Sequence, residues 1–486
     1  MNGSVTKVSN KPDDKYKWKA LTAIAIGTFM APLDGSIVNI TLPYISSAFG
    51  TDMATVEWVV MSYLLIISSL LLTYGRLGDM LGYKTVYITG FVIFTLGSVL
   101  CAMSPSIRAL IGFRVVQALG AGMMMAIGPA LVTSIFPPQE RGKALGIIGS
   151  TVASALAFGP VLGGLLVDFF GWRSVFLINL PIGVYAVYRA AAVLKPTGRD
   201  KNQRFDIPGA ITLFSALMTF LLAASHGQQW GWGSPVIIGL LSSSILLLAL
   251  FIWIELRVPS PMMDLSLFKI RLFTTANISL LISFLSHFSI VFLFPFYLKE
   301  VRSVEPSITG ILMAASPMVI LFAAPLSGAL SDRIGSRLLS SLGLGIVAVA
   351  MLLMSSVGIN TSFGQISLYL ALLGLGIGLF QSPNNSAIMG SVPRHRLGIA
   401  SGTLASMRNI GMVMGTATAG AIFTTRLPIH YSHFKASGCS TGSLYSLAFV
   451  TAMHDVFFTG AVLALIGMFI SMLREKNSAE STNHTL

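Results

Sequence analysis

The chain has 486 residues, 54% of them hydrophobic and only 10% charged, with a formal net charge of +13. Ordinary soluble domains carry about 25% charged residues, so this balance excludes a soluble globular protein and points to an all-α protein that crosses a membrane many times. The basic excess is no sign of nucleic acid, because the 31 Lys and Arg residues follow the pattern of membrane topology.

Apolar stretches long enough to cross a ~30 Å hydrocarbon core as helices occur at 20–42, 58–75, 85–104, 109–135, 144–167, 174–194, 207–225, 235–256, 273–298, 308–330, 338–358, 364–392, 398–424 and 453–473, fourteen expected spans in all. Residues 1–19 form a polar, basic tail. Ala20–Leu42 is too long for a signal-peptide core and lacks a small-x-small exit, so it stays as the first span. With both termini inside the cell, 23 Lys and Arg residues fall on cytoplasmic segments, six fall outside, and Arg114 and Arg408 lie within spans. The expected location is the cytoplasmic membrane.

The first span carries Asp34, the one acid expected deep in the bilayer, with Gly27, Met30, Ala31, Val38 and Thr41 on its helix face. A buried carboxylate in a membrane costs roughly 2.5–3.5 kcal/mol and marks a functional site by default. Pro32, two residues before it, predicts a local break in the helix. The other acids fall in loops, tails or span ends, including Glu57 at the outer end of the second span. The fourth span puts Arg114, Gln117 and Ala121 on one face, with Arg114 at the same depth as Asp34, roughly 10–12 Å below the outer ends. The two can meet if their helices are neighbours. The arginine then favours the ionised acid and burial the neutral one, opposing effects that suit a group loading and releasing a proton.

GRLGDMLGYK, Gly75–Lys84, reads as a tight cytoplasmic turn in which Gly75 and Gly82 free the backbone and Asp79 and Lys84 supply charge for a reversible latch. GALSDRIGSR, Gly328–Arg337, repeats it 253 residues later with Gly328, Asp332 and Gly335. Pro137, Gly142, Ala144, Gly146, Gly159 and Gly164 recur as Pro393, Gly398, Ala400, Gly402, Gly415 and Gly420 at shifts of 256. The expected organisation is therefore two six-helix bundles, 20–194 and 273–473, related by an internal repeat, with linkers and a two-helix insert at 195–272 and a tail at 474–486.

The fifth span reads AFGPVLGGLL, Ala157–Leu166, where Ala155, Gly159 and Gly163 give small-xxx-small spacing for close packing, Pro160 adds a bend, and Gly164 completes a Gly-Pro, Gly-Gly pattern. The insert is joined by an outward loop, Gly227–Pro235, and the longest outward loop is expected at about 426–452. His287 lies mid-span in the ninth helix, where a histidine can titrate near physiological pH as a coupling or substrate residue, although a satisfied interior histidine is the plainer reading. Arg408 is deep in the thirteenth and has to face the bundle interior. Asp168 and Arg173 read as a local surface pair, and Cys101 and Cys439, both near the outer face, leave one disulfide open. No Walker loop, metal-ligand cluster or nucleophile constellation is present in the sequence, so neither an enzyme, a cofactor protein nor an ATP-driven pump is expected.

Together these residues resemble the major facilitator superfamily, and within it the fourteen-span drug:proton antiporter branch, from about Ala20 to Leu473. LDGSIVNITLP, Leu33–Pro43, is similar to the first-span motif of that branch, with Gly35 at the usual Thr position. The Gly75–Lys84 loop has Tyr83 where a basic residue is common, and RVVQALGAG, Arg114–Gly122, resembles the fourth-span proton-transfer motif with Ala118 for its glycine. AFGPVLGG resembles the fifth-span antiporter motif, with Ala155 for the first glycine, and WRSVFLINLPIG, Trp172–Gly183, completes the match. The resemblance implies proton-coupled export of small amphiphilic, often cationic compounds by alternating access, and a monomer is expected. The alternative is an exporter or importer of one defined metabolite. A non-transporting receptor conflicts with a charged interior and paired gating loops.

Overall fold

The computed structural model describes residues 14–137, 140–196, 206–258, 265–393, 396–437 and 441–474. Among them there is no strand. The long helices are α1 Asp14–Phe49, α2 Trp58–Leu81, α3 Tyr83–Ala102, α4 Ile107–Ile135, α5 Arg141–Phe170, α6 Asn179–Val193, α7 Ile207–Trp230, α8 Pro235–Glu255, α9 Arg271–Phe296, α10 Pro306–Ile334, α11 Ser336–Met354, α12 Phe363–Gly390, α13 Leu397–Ala436 and α14 Thr441–Met472. Among the described residues, thirteen segments are long and apolar enough to cross a membrane. The helix left out is α13, whose 40 residues carry Arg408 and many small polar side chains, so one of the fourteen expected spans falls short on composition.

Several boundaries differ from the sequence expectation. Pro32 and Pro43 sit inside a continuous α1, so no break accompanies Asp34. Gly75 and Gly328 are helical, and each repeated loop is reduced to one residue, Gly82 (φ 90°) or Gly335 (φ 87°), before the next helix starts. Left-handed backbone at a one-residue turn suits glycine alone. The outward stretch at 426–452 is helix at both ends, because α13 runs to Ala436 and α14 starts at Thr441. At about 1.5 Å per residue α13 is roughly 60 Å long, twice a bilayer core. Arg474, expected in the tail, is 1% exposed, donates to Ser340 Oγ at 3.1 Å and to Asn384 Oδ1, and is pushed down to about 10 by burial.

Glycines set where the helices cross. A Cβ at Gly97 of α3 would lie 2.6 Å from Gln117 Cα, so α4 approaches at backbone distance. The same closeness joins Gly343 of α11 to Phe380 on α12. Of the insert, α7 seats against α2 and α13, with Trp58 Nε1 donating to Ser225 Oγ at 3.1 Å, whereas α8 packs on α7 and is largely exposed. Trp230 and Trp232 are exposed at the α7–α8 turn, and Trp232 Nε1 donates to Thr425 Oγ1 at 3.1 Å.

Candidate functional site

Five helices converge on Asp34. Arg114 and Gln117 are three apart on α4 and so project to the same side. Arg114 Nη1 donates to Asp34 Oδ2 at 2.6 Å and to Gln117 Oε1 at 2.6 Å, while its Nε donates to the Val59 carbonyl of α2 at 2.9 Å. Gln117 Nε2 donates to Asp34 Oδ1 and to Ser98 Oγ of α3, both at 2.8 Å. Asn179, the first residue of α6, adds a third donor to the carboxylate, to Oδ1 at 2.8 Å. The guanidinium lies 4.0 Å from the Tyr63 ring centroid and 5.8 Å from that of Phe176. Asp34 and Asn179 are 1% exposed, Arg114 and Gln117 fully buried.

This arrangement has definite chemical consequences. A proton on Asp34 removes the partner of a buried cation, and breaking one side of a buried pair costs about 3–5 kcal/mol. Binding a proton therefore cannot be local: it perturbs contacts on α1, α2, α3, α4 and α6 together. A substrate cation, by contrast, reaches Asp34 only by displacing one of its three donors, Arg114, Gln117 or Asn179.

Helices α1 and α5 meet α10 and the segment after α9 at the end remote from Asp14. Gly164 of α5 faces the Pro306 carbonyl of α10, and Gly310 of α10 faces the Pro160 carbonyl of α5, with no room for a Cβ at either. Lys299, in a one-turn π-helix after α9, donates to the Pro43 carbonyl of α1 at 2.7 Å and to Ser47 Oγ. Across the second seam, Gly420 of α13 packs on the carboxyl of Glu57, at the N-terminus of α2. Glu57 is 1% exposed and neither of its oxygens has a hydrogen-bond partner. Asp34 is thus not the one buried acid, because the α2–α13 seam seals a residue that span counting put at a helix end.

Residues 24–416 match the family model of the Major Facilitator Superfamily. The chain belongs to the Major Facilitator Superfamily. Within this superfamily it is 35% identical over 469 residues to the riboflavin transporter RibZ of Clostridioides difficile (strain 630), covering 96% of this chain and 99% of that protein. It is 34% identical over 410 residues to the multidrug resistance protein Stp of Mycobacterium tuberculosis (strain CDC 1551 / Oshkosh), covering 84% of this chain and 76% of that protein. The fold is similar to a solved bacterial homolog of the human lysosomal transporter Spinster, in an inward-facing and occupied conformation, with a TM-score of 0.67 at 14% identity over 95% and 97% of the two chains. This is a multi-pass membrane transporter of the superfamily.

The superfamily motifs take distinct places. Gly159 and Gly163 of α5 pack on Ser36 and Ile37 of α1, while Pro160 and Gly164 face α10, so the fifth-span motif joins the acid-bearing helix to the opposite half. Lys84 Nζ donates to the Ala191 carbonyl at 2.8 Å, and Gly328 faces Ser382 of α12. The side chains of Asp79 and Asp332 lie outside the described residues. His287 is buried, with Nδ1 3.0 Å from the Ser283 carbonyl and its ring 5.0 Å and 5.4 Å from those of Phe284 and Phe288. Arg408 is part-exposed and its Nε is unbonded. Cys101 is a free, buried thiol, and Cys439 lies outside the described residues. Arg173 bonds the Ser104 carbonyl at 3.2 Å and stacks on Trp172 rather than pairing with Asp168.

Asn179 and Ser98 were not legible as site residues. Asn179 is the lone amide of an apolar motif, VFLINLPIG, and that isolation is the signal that finds it. Ser98 offers no such signal, since a helical serine commonly bonds its own backbone and this one also donates to Phe94 O at 2.8 Å.

Proposed function

We propose that the protein is a proton-coupled secondary transporter that exports small amphiphilic molecules across the cytoplasmic membrane by alternating access, with both termini in the cytoplasm. The observation that carries this reading is the sealed Asp34 cluster. An acid held by Arg114, Gln117 and Asn179 ties a proton-binding group to five helices of one half. The α5–α10 and α2–α13 seams supply the moving surface in this reading, since their glycine contacts close the remote end here. Proton binding at Asp34 alters the first half, the seams part, and substrate is released on the other side. Asp79 and Asp332 act as latches at the cytoplasmic turns in this scheme.

A second reading is transport of one defined metabolite. It is favoured by the relative named a riboflavin transporter, which aligns along nearly its whole length. In inverted membrane vesicles, an imposed pH gradient should drive accumulation of members of a panel holding riboflavin, lipophilic cations and organic anions, and an uncoupler should abolish it. Accumulation that ignores the gradient would refute proton coupling; uptake of riboflavin alone would select the second reading.

A further inference from the structure

Asp34 is already occupied by a cation, and Arg408 is the opposite case. On α13, Gly411 and Gly415 pack against Leu281 and Leu285 of α9, and Gly420 packs against Glu57 of α2. At roughly 100° per residue, Arg408 falls between those two faces, about 20° from Gly415 and about 120° from Gly420. Ser401, Ala405 and Met412 share that stripe. They are part-exposed, as Arg408 is, whereas Thr416, Ala419 and Phe423, farther along the same stripe, are buried where the seam is closed. The stripe is therefore part-exposed toward the Leu397 end and buried toward the seam.

Arg408 lies about 16 Å along α13 from Leu397. Its guanidinium has no carboxylate, carbonyl or ring partner among the described residues, and its buried Nε is unsatisfied. A deep cation of this kind is costly unless something pairs with it. One turn farther along, Gly411 and Gly415 bring Phe284 and Phe288 of α9 against the same helix, with His287 between their rings.

We propose that Arg408 is the substrate-docking cation, and that the transported molecule carries an anionic group on a planar aromatic body, the anion meeting the guanidinium and the ring meeting the part-exposed Phe288 of α9. This rests on the transporter reading and replaces the cationic preference implied by the sequence resemblance. Arg matches an oxyanion with paired donors, while the acid a cationic drug would need is held by Arg114.

The test is binding to the purified, full-length protein, followed by fluorescence polarisation with carboxyfluorescein as planar anion and ethidium as planar cation. The parent should bind carboxyfluorescein more tightly than ethidium; Arg408→Gln should weaken carboxyfluorescein at least tenfold, and Arg408→Lys by much less. Tighter binding of ethidium, or equal carboxyfluorescein affinity in parent and Arg408→Gln, overturns the proposal. Binding that depends on Arg408 without transport driven by a pH gradient would sink the proton-coupled reading and leave this one standing. A second measurement covers a poorly folded Arg408→Gln: in a Cys439→Ser background, Ala405→Cys should react faster with an anionic than with a cationic methanethiosulfonate reagent. The reverse order would also overturn the proposal.

Discussion

The sealed pair between Asp34 and Arg114 gives a quantitative prediction. Asp34→Asn keeps the shape but leaves Arg114 with neutral acceptors alone: the new amide oxygen, Gln117 Oε1 and Val59 O. Arg114→Gln leaves Asp34 charged with two amide donors, from Gln117 and Asn179 at 2.8 Å each. Either single change strands one buried charge and should cost about 3–5 kcal/mol. The double variant strands none, since all four side chains are then neutral and can bond one another. It should therefore be more stable than the sum of the singles by about 2 kcal/mol or more, within the usual range for residues in one network. Equilibrium unfolding in mixed micelles, run on the four proteins of the cycle, measures this coupling. Additivity within about 0.5 kcal/mol would refute the claim that the pair is closed off from water and from other counter-ions.

Three further outcomes are expected. Asn179→Ala removes a donor to a carboxylate and should cost about 1.5–3 kcal/mol; unfolding in the same micelles reads it, and Asn179→Asp, which sets a second acid against Asp34, should be worse. Gly310→Val drives a side chain into the Pro160 carbonyl and should open the α5–α10 seam; a lower rate of disulfide trapping between Ser47→Cys and Lys299→Cys checks it. Glu57→Gln should leave thermal stability equal to or above the parent, because neither oxygen has a partner to lose and a neutral amide is easier to bury, whereas Gly420→Ala should lower it through the clash with that side chain.

Much of the helical layout was legible because a bilayer forces every span to be long and apolar. The meeting of Asp34 with Arg114 followed from equal depth along two helices. What could not be read was rotation about each helix axis, which depends on neighbours. Asn179 enters the cluster because α6 begins there, and Glu57 is buried because Gly420, 363 positions later, happens to face it. The repeated turns were misjudged in length for a local reason: a single left-handed glycine reverses the chain, so Gly75 and Gly328 stay helical. Arg408 was recognised as interior, but its lack of a partner depends on what every neighbouring helix presents.

The central claim is that Asp34 couples proton movement to substrate movement. Proteoliposomes holding parent or Asp34→Asn, with a pH dye inside and a transported member of the panel added outside, measure both on one sample. The parent should show substrate-driven proton movement together with substrate exchange, and Asp34→Asn should keep the exchange and lose the proton signal. Parent-sized proton movement in Asp34→Asn would contradict the account.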